Sequence, residues 1–251
     1  MFIVIFTNCQ GPMIWNNYLK NLDFFKNCTC KIISVLDNAP LDIESFTTCD
    51  IFLYQFTTKY MDVSISDNQN VLNLLKPDCI KICFPSMYID IWPLYQKGSK
   101  DMGSYTVTNL KAMGYPLETL LILYDNGLFS FDLKNRFTKS FRYLQEREEK
   151  YCNIKLSQFI LENYQNYRLF DTQFHPTGIL ASYAAKQICE FLKIEYPVKD
   201  IFADTYQLDL CKWPDTVYTV KELGVKYMKL NYHDWYKEHI IRIYNSNSVP
   251  T

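Results

Sequence analysis

Four short apolar runs punctuate the first third of the chain, with polar, helix-spaced stretches between them. "FIVIF" (2–6), "KIISVL" (31–36), "CDIFLYQF" (49–56) and "CIKICF" (79–84) read as strands. The first is a buried strand by its unbroken apolar character. Pro12 suits the first turn of a helix, and Trp15, Tyr18, Leu19, Leu22 and Phe25 recur at helical spacing, so a helix is predicted over 12–26. "NQNVLNLLK" predicts another between the third and fourth strands. Hairpin turn dipeptides are missing between these strands, so the connections are crossovers and the sheet is parallel.

The pattern changes after residue 84. The segment 84–116 carries three prolines and three glycines, mixes aromatic with polar residues and has weak periodicity. A loop of that length inside a compact domain is usually functional. Helices dominate from about 117. "TKSFRYLQEREEKYCNIKLSQFILENY" predicts one long amphipathic stretch, and "PTGILASYAAKQICEFL" a helix started by Pro176. Residues 200–251 form an aromatic-rich C-terminal extension of mixed pattern. No repeat, low-complexity tract or linker divides the chain. The expectation is one α/β domain over 1–251: three layers, a mainly parallel sheet flanked by helices, and a helical C-terminal half.

Composition narrows the function classes. With 26 basic and 27 acidic residues the chain is no general nucleic-acid binder. A hydrophobic content of 48% excludes disorder. The first apolar run is far too short for a signal segment or a membrane span. Nine cysteines, an odd number in a long chain, point to free thiols in a reducing, cytoplasmic setting, a host's cytoplasm if the chain is viral. Cys28-Thr29-Cys30 has the wrong spacing for a zinc knuckle, and no metal is expected. Glycine-rich phosphate loops are missing, which argues against NAD or ATP as cofactors.

Two places carry candidate chemistry. At the end of the first strand stands Asn8-Cys9-Gln10-Gly11-Pro12. In "LFDTQFHPTGIL" a short apolar strand end leads through Asp171 to His175, followed by Pro176. Both are strand-to-helix turns, which in a parallel sheet lie along the carboxyl edge where ligands bind. A helix N-terminus favours the thiolate of Cys9. An adjacent imidazole oriented by Asp171 would complete a nucleophile–base–orienter set, and N–H groups of the "NCQG" turn could cradle an oxyanion. The alternative is an inert, buried Cys9 and a structural His175. His233 and His239, six residues apart on nearly opposed helix faces, read as surface residues.

"TNCQ", "DIFLYQF" ending in Gln55, "ICFPSMYIDIWP", "REE" and "LFDTQFHPT", in this order over about residues 1–195, resemble the WcbI-type enzymes of capsular polysaccharide biosynthesis. The chain is also similar to the sugar N-acetyltransferase domains of giant-virus glycan pathways, which act on an amino sugar such as viosamine. The resemblance implies an SGNH-hydrolase-like fold, acetyl-coenzyme A as acyl donor and a nucleotide-linked sugar as acceptor. It puts Cys9 in the nucleophile position and His175 in the base position. Asp171 lies four residues before the histidine, where the hydrolase pattern has three. Asn8, Gln10 and Gln55 would support an oxyanion, although Gln55 could equally be a buried amide satisfying loop backbone. Phe84, Tyr88, Trp92 and Tyr95, with Ser86, would line the pantetheine arm or the sugar; the alternative is that these aromatics seal the core, which is the preferred reading for Phe84. Arg142 and Arg147, with Lys134, Arg136 and Lys139 nearby, would receive phosphates, Arg147 through the family's Arg-Glu pair; the alternative for each is a solvated charged helix face. The missing serine argues against a plain esterase. A thioesterase or sugar deacetylase, and a non-enzymatic glycan- or partner-binding module, are the competing expectations.

Overall fold

The computed structural model describes residues 1–35, 42–56, 65–92, 105–198, 200–204, 216–227 and 233–246. The four apolar runs form β1 (Phe2–Thr7), β2 (Thr29–Ser34), β3 (Ile51–Phe56) and β4 (Ile80–Pro85), all parallel, in the order β2-β1-β3-β4. Successive side chains of a strand point to opposite faces, and β1 divides its residues accordingly. Val4 and Phe6 pack with Phe52, with Phe46 of α2 (Ile43–Thr48) and with Val71 of α3 (Ile65–Leu74). Ile3 and Ile5 face the other way, with Ile51, Leu53, Ile82 and Phe84, into a larger apolar cluster. The result is a three-layer α/β sandwich.

That larger cluster is roofed by α1 (Gln10–Ile14), α6 (Leu133–Tyr151), α7 (Ser157–Asn163) and α8 (Gly178–Leu192). Tyr218 of α9 (Val217–Leu223) and Tyr236 and Ile240 of α10 (His233–Asn245) belong to it as well. Two further helices, α4 (Tyr105–Ala112) and α5 (Leu117–Asp125), precede α6. None of the described helices is long and apolar enough to cross a membrane.

Several predicted boundaries shift, each for a physical reason. The first helix starts at Gln10, which puts Pro12 at its third position, where an N–H has no intrahelical partner anyway. It continues as a π-helical turn over Trp15–Leu19 and gives way to turns before residue 26. Within 84–116 the chain has no regular secondary structure from Ser86 to Trp92 and forms α4 from Tyr105, while residues 93–104, Tyr95 included, lie outside the described residues. The single stretch predicted over 138–164 is two helices. The break at 152–156 follows from bonding to the sheet edge: Asn153 and Ile154 donate their N–H groups to the Cys83 carbonyl at 2.9 and 3.1 Å. The buried Glu148 carboxylate accepts the N–H groups of Leu156 (2.7 Å) and Ser157 (3.1 Å) at the start of α7. Glu148 therefore caps a helix, and Arg147 finds other partners.

The largest change concerns His175. It does not stand at a strand-to-helix turn of the parallel sheet. Phe170–Thr172 (β5) and His175–Pro176 (β6) form a separate antiparallel ribbon, and α8 begins only at Gly178.

Candidate active site

In a doubly wound sheet the ligand site lies outside the carboxyl ends of the strands, where the connections change direction. With the order β2-β1-β3-β4 the chain leaves β1 toward β2 and returns past it to β3, so the switch point lies between β1 and β3. The ends of those two strands carry Asn8, Cys9, Gln10 and Gln55.

Gln10 knots the region together. Its side chain is 1% exposed. Oε1 accepts the Met87 N–H at 2.9 Å and Gln55 Nε2 at 2.5 Å. Nε2 donates to the carbonyls of Met87 (2.9 Å) and Phe174 (2.6 Å). A carboxamide has two donors and two acceptor lone pairs, and all four are used. Four segments meet at this one side chain: the turn after β1, the end of β3, the segment following β4 and the ribbon that carries His175. Gln55, fully buried, adds a bond from the Asn8 N–H to its Oε1 (3.3 Å) and a long one from Nε2 to the Pro85 carbonyl (3.5 Å). It is the loop-satisfying amide of the alternative reading.

These bonds narrow the oxyanion donors. The Asn8 N–H is given to Gln55, the Gln10 N–H to Asn8 Oδ1 (2.9 Å) and the Gly11 N–H to the Asn8 carbonyl (3.3 Å). With Oδ1 fixed this way, Asn8 Nδ2 keeps two donors that meet no acceptor among the described residues. Gly11 lets α1 approach the strand: a Cβ there would sit 1.9 Å from Thr7 Oγ1 and 2.7 Å from Thr7 Cβ. Cys9, at the N-cap of α1, is exposed, in contrast to the other described cysteines, which are buried or half-buried.

His175 is half-buried. Its Nδ1 lies 2.7 Å from Thr172 Oγ1, which also accepts the Phe174 N–H at 3.3 Å. Burial lowers the imidazole pKa from 6.5, with the charge of Asp171 opposing the shift. Asp171 itself is buried, 3.5 Å from Arg168 Nε, and its carbonyl accepts Arg168 Nη2 at 3.2 Å. Thr172, one residue on, makes the direct contact with the ring; nothing in the sequence pattern singled it out.

The segment after β4 runs beside this junction. Tyr88 packs on Phe174 with centroids 5.0 Å apart, and the Ile89 N–H reaches the Gln173 carbonyl at 3.1 Å. Arg136 clamps the segment, bonding both oxygens of Asp90 and the Trp92 carbonyl (2.8 Å). Its charge is thus spent on structure, which the charge pattern alone did not reveal. Trp92 is 2% exposed and belongs to the core. Arg142 points to solvent, its side chain 76% exposed and 3.6 Å from Glu146, and Lys134 and Lys139 are exposed as well.

Arg147 behaves differently from its neighbours. It is 7% exposed, donates from Nη2 to the Ser86 carbonyl (3.1 Å), and lies 4.6 Å from the centroid of the Tyr143 ring. Its buried Nε meets no acceptor among the described residues. Burial pulls its pKa below the usual guanidinium value. A buried charge normally has a counter-charge, and among the described residues no carboxylate forms an ion pair with this one. No cluster of described residues could hold a metal ion. Where His239 read as a surface residue, it is half-buried and stacks on Trp235 at 3.7 Å; the His233 side chain lies outside the described residues.

A doubly wound α/β protein with an exposed thiol at the sheet's switch point, tied by a saturated amide network to a ribbon-borne imidazole, is the class this geometry defines. The chain belongs to the WcbI family: the family model "Polysaccharide biosynthesis enzyme WcbI" matches residues 2–197. A solved WcbI structure superimposes with a TM-score of 0.72 over 98% of this chain and 90% of that one, at 18% identity. It is described as a novel polysaccharide biosynthesis enzyme, a native protein without a disulfide bond between coenzyme A and one of its cysteines. No curated protein sequence matches the chain. Family membership gives it a role in glycan biosynthesis.

Proposed function

We propose that the chain is an acetyl-coenzyme A-dependent acetyltransferase acting on a sugar, the amine of a nucleotide-linked amino sugar such as UDP-viosamine, in the cytoplasm. The observation that carries this reading is the Gln10 knot, which joins the exposed Cys9 turn to the ribbon bearing His175. The description of the WcbI relative, which mentions coenzyme A together with one of that protein's cysteines, adds support for coenzyme A as the ligand.

The steps follow from the side chains. The Cys9 thiolate attacks the acetyl carbonyl, the C–S bond to coenzyme A breaks, and the coenzyme A thiolate leaves with an acetyl thioester on Cys9. One thioester replaces another, so the exchange is nearly even in energy. The acceptor amine then attacks the thioester, restoring the Cys9 thiolate, while His175 takes the amine's proton. If Nδ1 carries its hydrogen toward Thr172 Oγ1, the lone pair is left on Nε2, as a base requires. The lowered pKa keeps the ring neutral at physiological pH. Asn8 Nδ2 is the donor proposed for the developing oxyanion in both steps. Asp171 contributes charge near the ring rather than a bond to it. Arg147 receives a phosphate of coenzyme A or of the nucleotide sugar, the anion its buried guanidinium lacks. Ser86 and Tyr88 flank that approach; Arg142 and Trp92 take no part.

Mass spectrometry after incubation with acetyl-coenzyme A, without acceptor, tests the covalent step: an acetyl group is expected on the Cys9 peptide. Cys9→Ala should slow transfer by much more than tenfold. Retention of activity within about tenfold, roughly 1.4 kcal/mol of barrier, would replace the covalent route by direct attack of the amine on acetyl-coenzyme A.

A further inference from the structure

Two thiols that the chemistry above does not use lie close to Arg147. Cys83, in β4, is fully buried, and Cys152, the residue that ends α6, is half-buried; their sulfurs are 3.7 Å apart. The backbones holding them are fixed to each other. The Cys83 carbonyl accepts the N–H groups of Asn153 and Ile154, and the Cys83 N–H donates to Asn153 Oδ1 at 2.8 Å. The hydrogen bond with Cys152 holds the Cys83 thiol below its ordinary pKa against the effect of burial, helped by Tyr54, the Phe56 backbone and the charge of Arg147. The same pairing pushes Cys152 up. Cys152 is the thiol that solvent can reach, and Cys83 lies buried directly behind it. Cys49 and Cys79 form a second pair, also 3.7 Å apart, but both are buried and sit at the amino ends of β3 and β4, away from the site.

We propose that Cys83 and Cys152 form a reversible intramolecular disulfide in response to low-molecular-weight disulfides, pinning the turn of α6 that presents Arg147 to β4. Cys152 first attacks a small disulfide RSSR, giving a mixed disulfide and one RSH. Cys83 then attacks the Cys152 sulfur, forming the Cys83–Cys152 bond and releasing the second RSH. The two thiols lose two protons and two electrons, and RSSR becomes two RSH. Closing the bond brings the sulfurs from 3.7 Å to about 2.05 Å and adds a covalent link between the end of α6 and β4. The effect on ligand binding rests on the proposed role of Arg147; the disulfide itself does not.

The full chain is equilibrated in oxidised and reduced glutathione at graded ratios, quenched with acid, alkylated and mapped by mass spectrometry. The expected result is a Cys83–Cys152 linked peptide, two hydrogens lighter than its parts, that disappears on reduction with dithiothreitol and does not form in Cys152→Ser. Glutathione left on Cys152 with Cys83 still open to alkylation overturns the proposal, as does preferential closure of Cys49–Cys79. In a Cys9→Ala background, where exchange with coenzyme A at the exposed thiol is removed, the oxidised protein should show a changed thermal shift with coenzyme A. An unchanged shift despite the linked peptide refutes the coupling to Arg147 and leaves the disulfide standing. A linked peptide in a protein that no coenzyme A species stabilises refutes the functional reading instead.

Discussion

Gln10→Ala would remove the side chain on which the junction depends. Four hydrogen bonds are lost: those to the Met87 N–H and carbonyl, to the Phe174 carbonyl and from Gln55 Nε2. At about 1 kcal/mol for each typical buried hydrogen bond lost, the loss comes to about 4 kcal/mol; a water entering the vacated space would lower it to about 2 kcal/mol. Against a usual total of about 5–15 kcal/mol, urea denaturation at pH 7 measures this easily. Gln10→Glu sharpens the test. Its carboxylate can still accept from Met87 and Gln55, but an oxygen now faces the Met87 and Phe174 carbonyls where an NH2 group stood at 2.9 and 2.6 Å. Only the protonated acid can donate to either, so the folded state raises this carboxyl's pKa above the unfolded value of about 4.3. A group raised on folding contributes stability that is present below its unfolded pKa and lost as pH rises through its folded pKa. The deficit of Gln10→Glu relative to the wild type must therefore widen from acid to neutral pH. A cost for Gln10→Ala below about 1 kcal/mol, the value of a single bond, or a Gln10→Glu deficit that does not vary with pH, would refute the four-bond junction.

Gly11→Ala should cost about 1–3 kcal/mol by overpacking, measured by thermal or urea unfolding, because its Cβ would fall 1.9 Å from Thr7 Oγ1. Adding Thr7→Ala removes Oγ1 and Cγ2 and should recover part of the loss, while the Thr7 Cβ at 2.7 Å keeps the recovery incomplete. The pH profile of kcat/KM should show an acid limb below the ordinary histidine value of 6.5, because burial depresses His175; a limb above that value would exclude His175 as the base. Thr172→Val keeps the shape, removes the Nδ1 partner and should lower kcat about tenfold, the effect of roughly 1.4 kcal/mol, with KM little changed. Arg147→Gln should weaken coenzyme A binding about tenfold to a hundredfold, or about 1.4–2.8 kcal/mol, in a thermal-shift titration, whereas Arg142→Gln leaves it unchanged.

Much of the frame is legible from local pattern. The strands showed themselves as unbroken apolar runs, and the lack of turn dipeptides between them correctly implied a parallel sheet. Cys9 and Gln55 fell at strand ends, and the sheet order brings those ends together. What pattern could not convey is long-range bonding. No glycine or proline marks the break in the helix over 138–164; it arises because Asn153 and Ile154 bond to Cys83 and because Glu148 turns to the following N–H groups. A ribbon with only two residues in its second strand has no periodicity to detect, so His175 read as a turn like that of Cys9. The charges on α6 looked alike in sequence. Packing separates them into a structural clamp at Arg136, a solvated Arg142 and a buried Arg147.

The most direct test of the central claim is a product assay with acetyl-coenzyme A and a panel of nucleotide-linked amino sugars, run with the wild type and with a folded His175→Ala variant. An N-acetylated sugar nucleotide is expected by mass spectrometry, with the variant slower by about 100-fold or more, as for loss of a general base. No acetylated sugar from any acceptor, acetate released at the same rate without acceptor, or an undiminished His175→Ala variant would contradict it.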